Sequence, residues 1–160
     1  MAPTSAERQW EGQTFRRVGP IEPQRSPSGA LLSAEPHLRY AKAAGARLLP
    51  DGAGPFCSFR IPSREVDAGV YVVTLDGEPV YVGEAQNLAE RFNGRGYGSI
   101  SPRNCYVGGQ STNLRINRHL LEAAQRGTRI ELWFNSCRNR KAFESVLIGR
   151  LRPEWNRQGL

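Results

Sequence analysis

Residues Gly69 to Arg91 read GVYVVTLDGEPVYVGEAQNLAER, and the fold turns on their pattern. Val70-Tyr71-Val72-Val73-Thr74-Leu75 is β-branched and aromatic, as a strand requires. Asp76-Gly77 is a pair that accepts positive φ in a two-residue hairpin turn. Val80-Tyr81-Val82 returns as the partner strand, and Asn87 can cap or open a helix carrying Leu88, Arg91 and Phe92. The stretch predicts a hairpin beside a helix. Tyr71 and Tyr81 occupy alternate-face positions that the hairpin brings together, and Arg91 follows one short helix later.

Downstream, Gly94 to Thr112 is rich in glycine and carries Arg95, Pro102, Arg103, Asn104 and Gln110. A loop of that length inside a compact domain is unusual unless it has a function. The functional reading is that its Arg, Asn and Gln side chains reach base edges or phosphates; the bland one is a disordered surface insertion. Asn113 to Arg126 reads as a helix, with Ser111 to Asn113 as capping candidates and Gly127 as the stop. Leu114, Leu121 and Ala124 form its apolar stripe, flanked by Ile116, Leu120 and Ala123. Arg115, Arg118 and Glu122 share the other face, with His119 beside them. Arg115 and Arg118 are candidate phosphate contacts, while His119 is either a helper in chemistry or an ordinary core-edge histidine. Thr128 to Phe134 is a third strand with Ile130, Leu132 and Phe134 on one side. Asn139 to Arg152 is the last helix, with Phe143, Val146, Leu147 and Leu151 as its buried stripe. Pro153 ends it, and Trp155 is expected to pack on the core and fix Asn156.

Upstream, residues 1 to 35 are rich in Pro, Ser, Gln, Arg and Gly without sustained period, and read as a flexible arm. Pro36 to Ala46 suggests a short helix, Pro50 to Pro55 a turn cluster, and Phe56 to Ile61 an extra edge strand closed by Pro62.

At 160 residues the chain suits one domain with an extension, long enough to bury a core. No apolar run approaches the roughly 18 residues of a membrane span, and the first thirty residues lack a signal-peptide region. A soluble, cytoplasmic protein is the expectation. Cys57, Cys105 and Cys137 are odd in number and widely spaced, as reduced thiols rather than a disulfide frame or zinc site would be. The net charge is +7, and twenty of the twenty-two basic residues are arginine. Seven arginines and only two glutamates lie between Asn87 and Arg129. Clustering of planar, bidentate phosphate binders favours a surface that faces a polyanion.

Gly69-Val70-Tyr71 and Tyr81-Val82-Gly83 resemble the two halves of the GIY-YIG nuclease signature. Far downstream, Glu144-Ser-Val-Leu-Ile-Gly-Arg-Leu-Arg-Pro-Glu-Trp-Asn156 resembles the family's third and fourth motifs, a helical glutamate followed twelve positions later by an asparagine after a proline turn. The resemblance covers roughly Gly69 to Asn156. It implies an α+β domain built on a small three-stranded antiparallel sheet flanked by helices. The expected organisation is an arm over 1–35, an extension packing on the core over 36–66, and a catalytic domain over 67–160 with an insert at 94–112.

The resemblance further implies a DNA endonuclease that hydrolyses phosphodiesters by direct water attack with one Mg²⁺ or Mn²⁺ per site. Glu144 would hold the metal, Arg91 would contact the scissile phosphate, and Asn156 would hold local geometry through hydrogen bonds. A phenol has a pKa of about 10 and makes a poor base without cationic neighbours. One of Tyr71 and Tyr81 would deprotonate water while the other orients water or phosphate, and the residues leave open which does which. Gly83 leaves room for backbone to approach the phosphate. The insert and the following helix would supply Arg95, Arg103, Asn104, Gln110, Arg115, Arg118 and His119 to nucleic acid. This chain departs from the family pattern at two places. Glu84 stands where a lysine is common, and Arg95 where some members have tyrosine or histidine. With no second domain following Asn156 to target damage, a stand-alone restriction-like or genome-defence enzyme is expected. A repair or structure-specific nicking nuclease, a nuclease toxin, and a nucleic-acid-binding module that has lost cleavage are the alternatives. A double-strand cut with one site per chain would need a homodimer or two sequential nicks; single- and double-stranded DNA are both open as substrate.

Overall fold

The computed structural model describes residues 6–157 and divides the chain into two compact units. Among the described residues the first comprises 6–21, 61–89 and 128–157, and the second 22–60 and 90–127.

The first unit is built on a five-stranded antiparallel sheet of β1 (Glu7–Trp10), β2 (Gln13–Pro20), β3 (Gly69–Leu75), β4 (Glu78–Ala85) and β5 (Ile130–Ser136), in the order β1-β2-β5-β3-β4. The hairpin of β3 and β4 forms as its sequence requires, with Asp76 and Gly77 at φ 48° and 88° in the turn. The sheet corrects the three-stranded expectation. Residues 7–20, read above as part of a flexible arm, form β1 and β2, and β2 pairs with β5. Glu11 and Gly12, at φ 51° and 73°, make the tight turn between them. Polar side chains on one side of this hairpin mask it in composition, whereas Trp10 and Phe15 on the other are buried.

α3 (Arg140–Leu151) packs on β3 and β4, and ends at Arg152 in the left-handed region ahead of Pro153. Val70, Val72, Val82, Trp133, Trp10 and Phe15 make the core beneath it, with Leu147 buried and Phe143, Ile148 and Leu151 packed alongside. Val146, assigned above to the buried stripe, is half exposed; Ile148 takes its place. The short α4 (Glu154–Arg157) follows, with Trp155 buried. Glu131, buried on β5, is neutralised by Arg17 and by Arg129 at 3.1 Å.

In the second unit, α2 (Ser111–Gln125) buries its predicted stripe and stops at Gly127 with φ 71°. None of Ser111, Thr112 or Asn113 caps it; Gln110 is the residue before the first turn and makes no side-chain cap. Phe56, Cys105, Tyr106 and Leu114 form a second core. Residues 36–46 contain only a 3-10 turn, Pro36–Arg39, rather than a helix. The expected strand at Phe56–Ile61 is absent apart from one bridge between Ala34 and Phe56. Asn117 on α2 takes the place of a neighbouring strand there: its Oδ1 accepts from the Cys57 N–H at 3.0 Å and its Nδ2 donates to the Cys57 carbonyl at 2.9 Å. The stretch 94–112 is packed, with Tyr97, Cys105 and Tyr106 buried. Gly96, Gly98 and Gly109 lie where a Cβ would overlap neighbouring backbone, so glycine here serves close packing. α1 (Leu88–Phe92) spans the division between the units, and no helix among the described residues is long and apolar enough to cross a membrane.

Candidate active site

In the first unit Tyr71 and Tyr81 share one face of the β3–β4 hairpin, since Tyr71 lies opposite Gly83 and Tyr81 opposite Val73. Their ring centroids are 6.2 Å apart. The reason for glycine at 83 is visible in the packing. A Cβ there would overlap the Tyr71 phenol at Cζ and Oη, so the ring crosses the strand over the missing side chain. The space that the sequence reading reserved for a phosphate is occupied by the tyrosine itself. Both tyrosines are well covered, Tyr71 at 1% exposure and Tyr81 at 7%.

The same row continues across the sheet. Phe134 of β5 pairs with Tyr71, and Arg16 of β2 pairs with Phe134. The Arg16 guanidinium sits 5.5 Å from the Phe134 ring and forms a two-pronged ion pair with the buried Glu65 carboxylate. That carboxylate holds the Arg16 pKa above its ordinary value, so the side chain stays cationic throughout the working pH range. Sequence reading missed Arg16 because its strand was taken for an arm; the Glu11-Gly12 turn pair between Trp10 and Phe15 was the available signal.

On the other face, Glu84 and Arg140 form an ion pair at 2.7 Å, linking β4 to the first turn of α3. The acid at position 84 is therefore neutralised within the fold. Arg140 precedes Glu144 by one helical turn, and its Nε is committed to Glu84. Glu144 is half-buried on α3. Asn156 makes a two-point clamp on the free edge of β4: Oδ1 accepts from the Val82 N–H and Nδ2 donates to the Val82 carbonyl, both at 2.8 Å. One amide thereby reproduces the bond pair that a further strand would make, between Tyr81 and Gly83.

No group of three or more His, Cys, Asp or Glu converges among the described residues, so they form no all-protein metal cage. A single hard carboxylate such as Glu144 suits Mg²⁺ or Mn²⁺, which take one or two protein oxygens and complete the shell with water and phosphate.

In the second unit the candidates separate into two groups. Arg91 Nη1 donates to Asn113 Oδ1 at 2.7 Å, and its guanidinium carbon lies 4.0 Å from the Tyr97 ring centroid. Asn113 also donates to the Arg95 carbonyl at 3.2 Å and to Gln110 Oε1. Gln110 and the Arg95 backbone thus belong to the Arg91 surroundings, and the Arg95 side chain is exposed. Arg118 donates to the Gly54 carbonyl. Arg103 is exposed and reaches the Val107 carbonyl at 3.5 Å, while the half-buried Asn104 donates its backbone N–H to Ser101 Oγ at 3.3 Å. Arg115 and His119 are half-buried on α2. Asn113 and Tyr97 were outside the predicted set; in the sequence Asn113 read only as a capping candidate for α2, a role the structure does not give it.

No family model and no curated protein matches the chain. It is similar to the solved structure of a bacteriophage T4 EndoII mutant at TM-score 0.45 and 19% identity, over 69% of this chain and 86% of that one. That likeness is too slight to argue from.

Proposed function

We propose that this chain is an endonuclease that hydrolyses DNA phosphodiesters with a divalent metal, in a restriction or genome-defence role. The observation that carries the reading is the Tyr71–Tyr81 pair laid across Gly83 and braced from the strand edge by Asn156. These residues occupy the motif positions of the GIY-YIG resemblance, and their packing explains why tyrosine, glycine and asparagine stand there together.

In the reaction a water oxygen bonds to phosphorus, the bond from phosphorus to the leaving sugar oxygen breaks, and the water proton passes to a base. One tyrosine, acting as its phenolate, takes the proton and the other orients water or phosphate, while the leaving sugar oxygen is protonated from solvent. By the resemblance, Arg91 would bind the phosphate oxygens on which charge accumulates. Glu144 would hold Mg²⁺ or Mn²⁺, which when bound offsets further charge on the phosphate. Asn156 keeps Tyr81 and Gly83 in register without touching substrate.

A second reading, a nucleic-acid-binding module without cleavage, is favoured by the slight exposure of both phenols. Incubation of the protein with supercoiled plasmid and single-stranded DNA, with Mg²⁺, Mn²⁺ or EDTA, separates the two. Metal-dependent cutting abolished by Glu144→Ala supports the nuclease. Salt-sensitive binding without cutting of either substrate supports the binding module.

A further inference from the structure

Asn113 lies in the first turn of α2 at 1% exposure, and its amide is satisfied at both ends. Oδ1 faces the Arg91 donor, while Nδ2 faces two acceptors, the Arg95 carbonyl and Gln110 Oε1. Reversing the amide would set donor against donor and acceptor against acceptor, so the orientation is fixed. The Arg91 guanidinium carbon lies over the Tyr97 ring, 4.0 Å from its centroid, and that buried ring is held edge-on by Phe92, centroids 5.1 Å apart. The Tyr97 N–H also donates to the Arg91 carbonyl at 3.1 Å, which ties the two backbones together.

A guanidinium is a rigid planar fork. The Tyr97 ring beneath the guanidinium carbon limits its swing, and the bond to Asn113 limits its rotation. A neutral amide does this without cancelling the charge, as a carboxylate in the same place would. We propose that Asn113 and Tyr97 are positioning residues that hold Arg91 in one orientation for the phosphate of a DNA substrate, an inference that rests on the nuclease reading above. Arg91 is the residue that touches substrate; Asn113 and Tyr97 act through it.

The test is a set of steady-state cleavage measurements on plasmid DNA with Asn113→Ala, Tyr97→Leu, Arg91→Ala and the Arg91→Ala/Asn113→Ala pair. It is joined to ¹⁵N NMR of the arginine side chains, with the Arg91 signal assigned by Arg91→Lys. Asn113→Ala is expected to lower kcat by about 10- to 100-fold, as misplacement of a reacting group by an ångström does, with KM little changed. It should add nothing in the Arg91→Ala background. The Arg91 Nη protons should be resolved in the wild type and averaged by rotation in Asn113→Ala. Tyr97→Leu should behave alike, and it carries the test if Asn113→Ala loses its fold by circular dichroism. Wild-type kcat in both variants, an equal loss from Asn113→Ala with and without Arg91, or freely rotating Arg91 in the wild type would each overturn the proposal. If the wild type cuts but Arg91→Ala cuts as well, positioning is overturned and the nuclease reading stands. If the wild type cuts nothing while NMR shows Arg91 held, the nuclease reading falls and takes the catalytic purpose with it.

Discussion

Gly83 and Gly77 show how differently one residue type can be required. Gly77 sits at φ 88° with open space where a Cβ would stand, whereas at Gly83 the Tyr71 phenol fills that space. Gly77→Ala is expected to cost about 1–2 kcal/mol of backbone strain and leave cleavage unchanged. Gly83→Ala is expected to cost about 1–3 kcal/mol through overpacking and also to abolish cleavage, because Tyr71 must move. Urea unfolding of both variants beside the plasmid assay checks the contrast; equal activity in the two would remove Tyr71 from the site. A third residue makes a pH prediction. Burial pushes the Cys57 thiol from 9.0 up to about 12. The folded state therefore favours the protonated thiol more than the unfolded state does. Its contribution is fully present below pH 9 and is lost as pH rises toward 12, by about 4 kcal/mol in all. Unfolding of the wild type followed from pH 8 to 11 should fall more steeply than that of Cys57→Ala. In the native protein at pH 8, a thiol reagent should reach the half-exposed Cys137 before the buried Cys57 or Cys105.

Between elements, the contact of β4 with α3 turns on Glu84 and Arg140. Each side chain is about a quarter exposed, so water screens the pair and its net worth is about 1 kcal/mol. Glu84→Lys sets a like charge against Arg140 and should lose stability. Adding Arg140→Glu should recover most of the loss, with a coupling of about 1 kcal/mol in a double-mutant cycle read by urea unfolding. Additive losses would mean that the two residues act separately. The β3–β4 hairpin, α2, β5 and α3 were legible in the sequence because each carries its own local signal: a turn pair, an apolar stripe or a stop residue. Val146 was misplaced because a helix stripe read from spacing alone cannot choose between the two flanks, and the sheet chose Ile148. The segment Phe56–Ile61 alternates as a strand does, yet its backbone bonds go to scattered partners, the Ala34, Gln24 and Gly98 backbone and the Asn117 side chain, pairings with no trace in the local pattern. Of the site, the tyrosines, Gly83 and Asn156 were legible as motif positions. Arg16, Tyr97 and Asn113 were not, since each matters through a partner distant in the sequence or through an element not recognised.

At the scale of the first unit, the largest departure from the sequence reading is the hairpin of β1 and β2, and its energetic weight can be judged. It places Trp10 and Phe15 in the core, edge-to-face with ring centroids 5.1 Å apart, and Trp10 likewise against Trp133 at 6.0 Å. Two aromatic side chains bury roughly 150–250 Å² each, worth about 8–12 kcal/mol together at roughly 25 cal/mol per Å². Residual compactness of the unfolded chain makes that an upper figure, but it still rivals the whole stability of a typical domain, about 5–15 kcal/mol. The hairpin also covers β5, whose backbone would otherwise present an open edge. A chain beginning at Ile21 should therefore be recovered unfolded or aggregated, and Phe15→Ala should lose about 3–5 kcal/mol. Circular dichroism and urea unfolding of the truncated and substituted proteins measure both. A truncated chain that folds with wild-type stability would return these residues to the status of an arm. It would also leave Arg16, whose strand pairs it beside Phe134 and Tyr71, with no part in the candidate site.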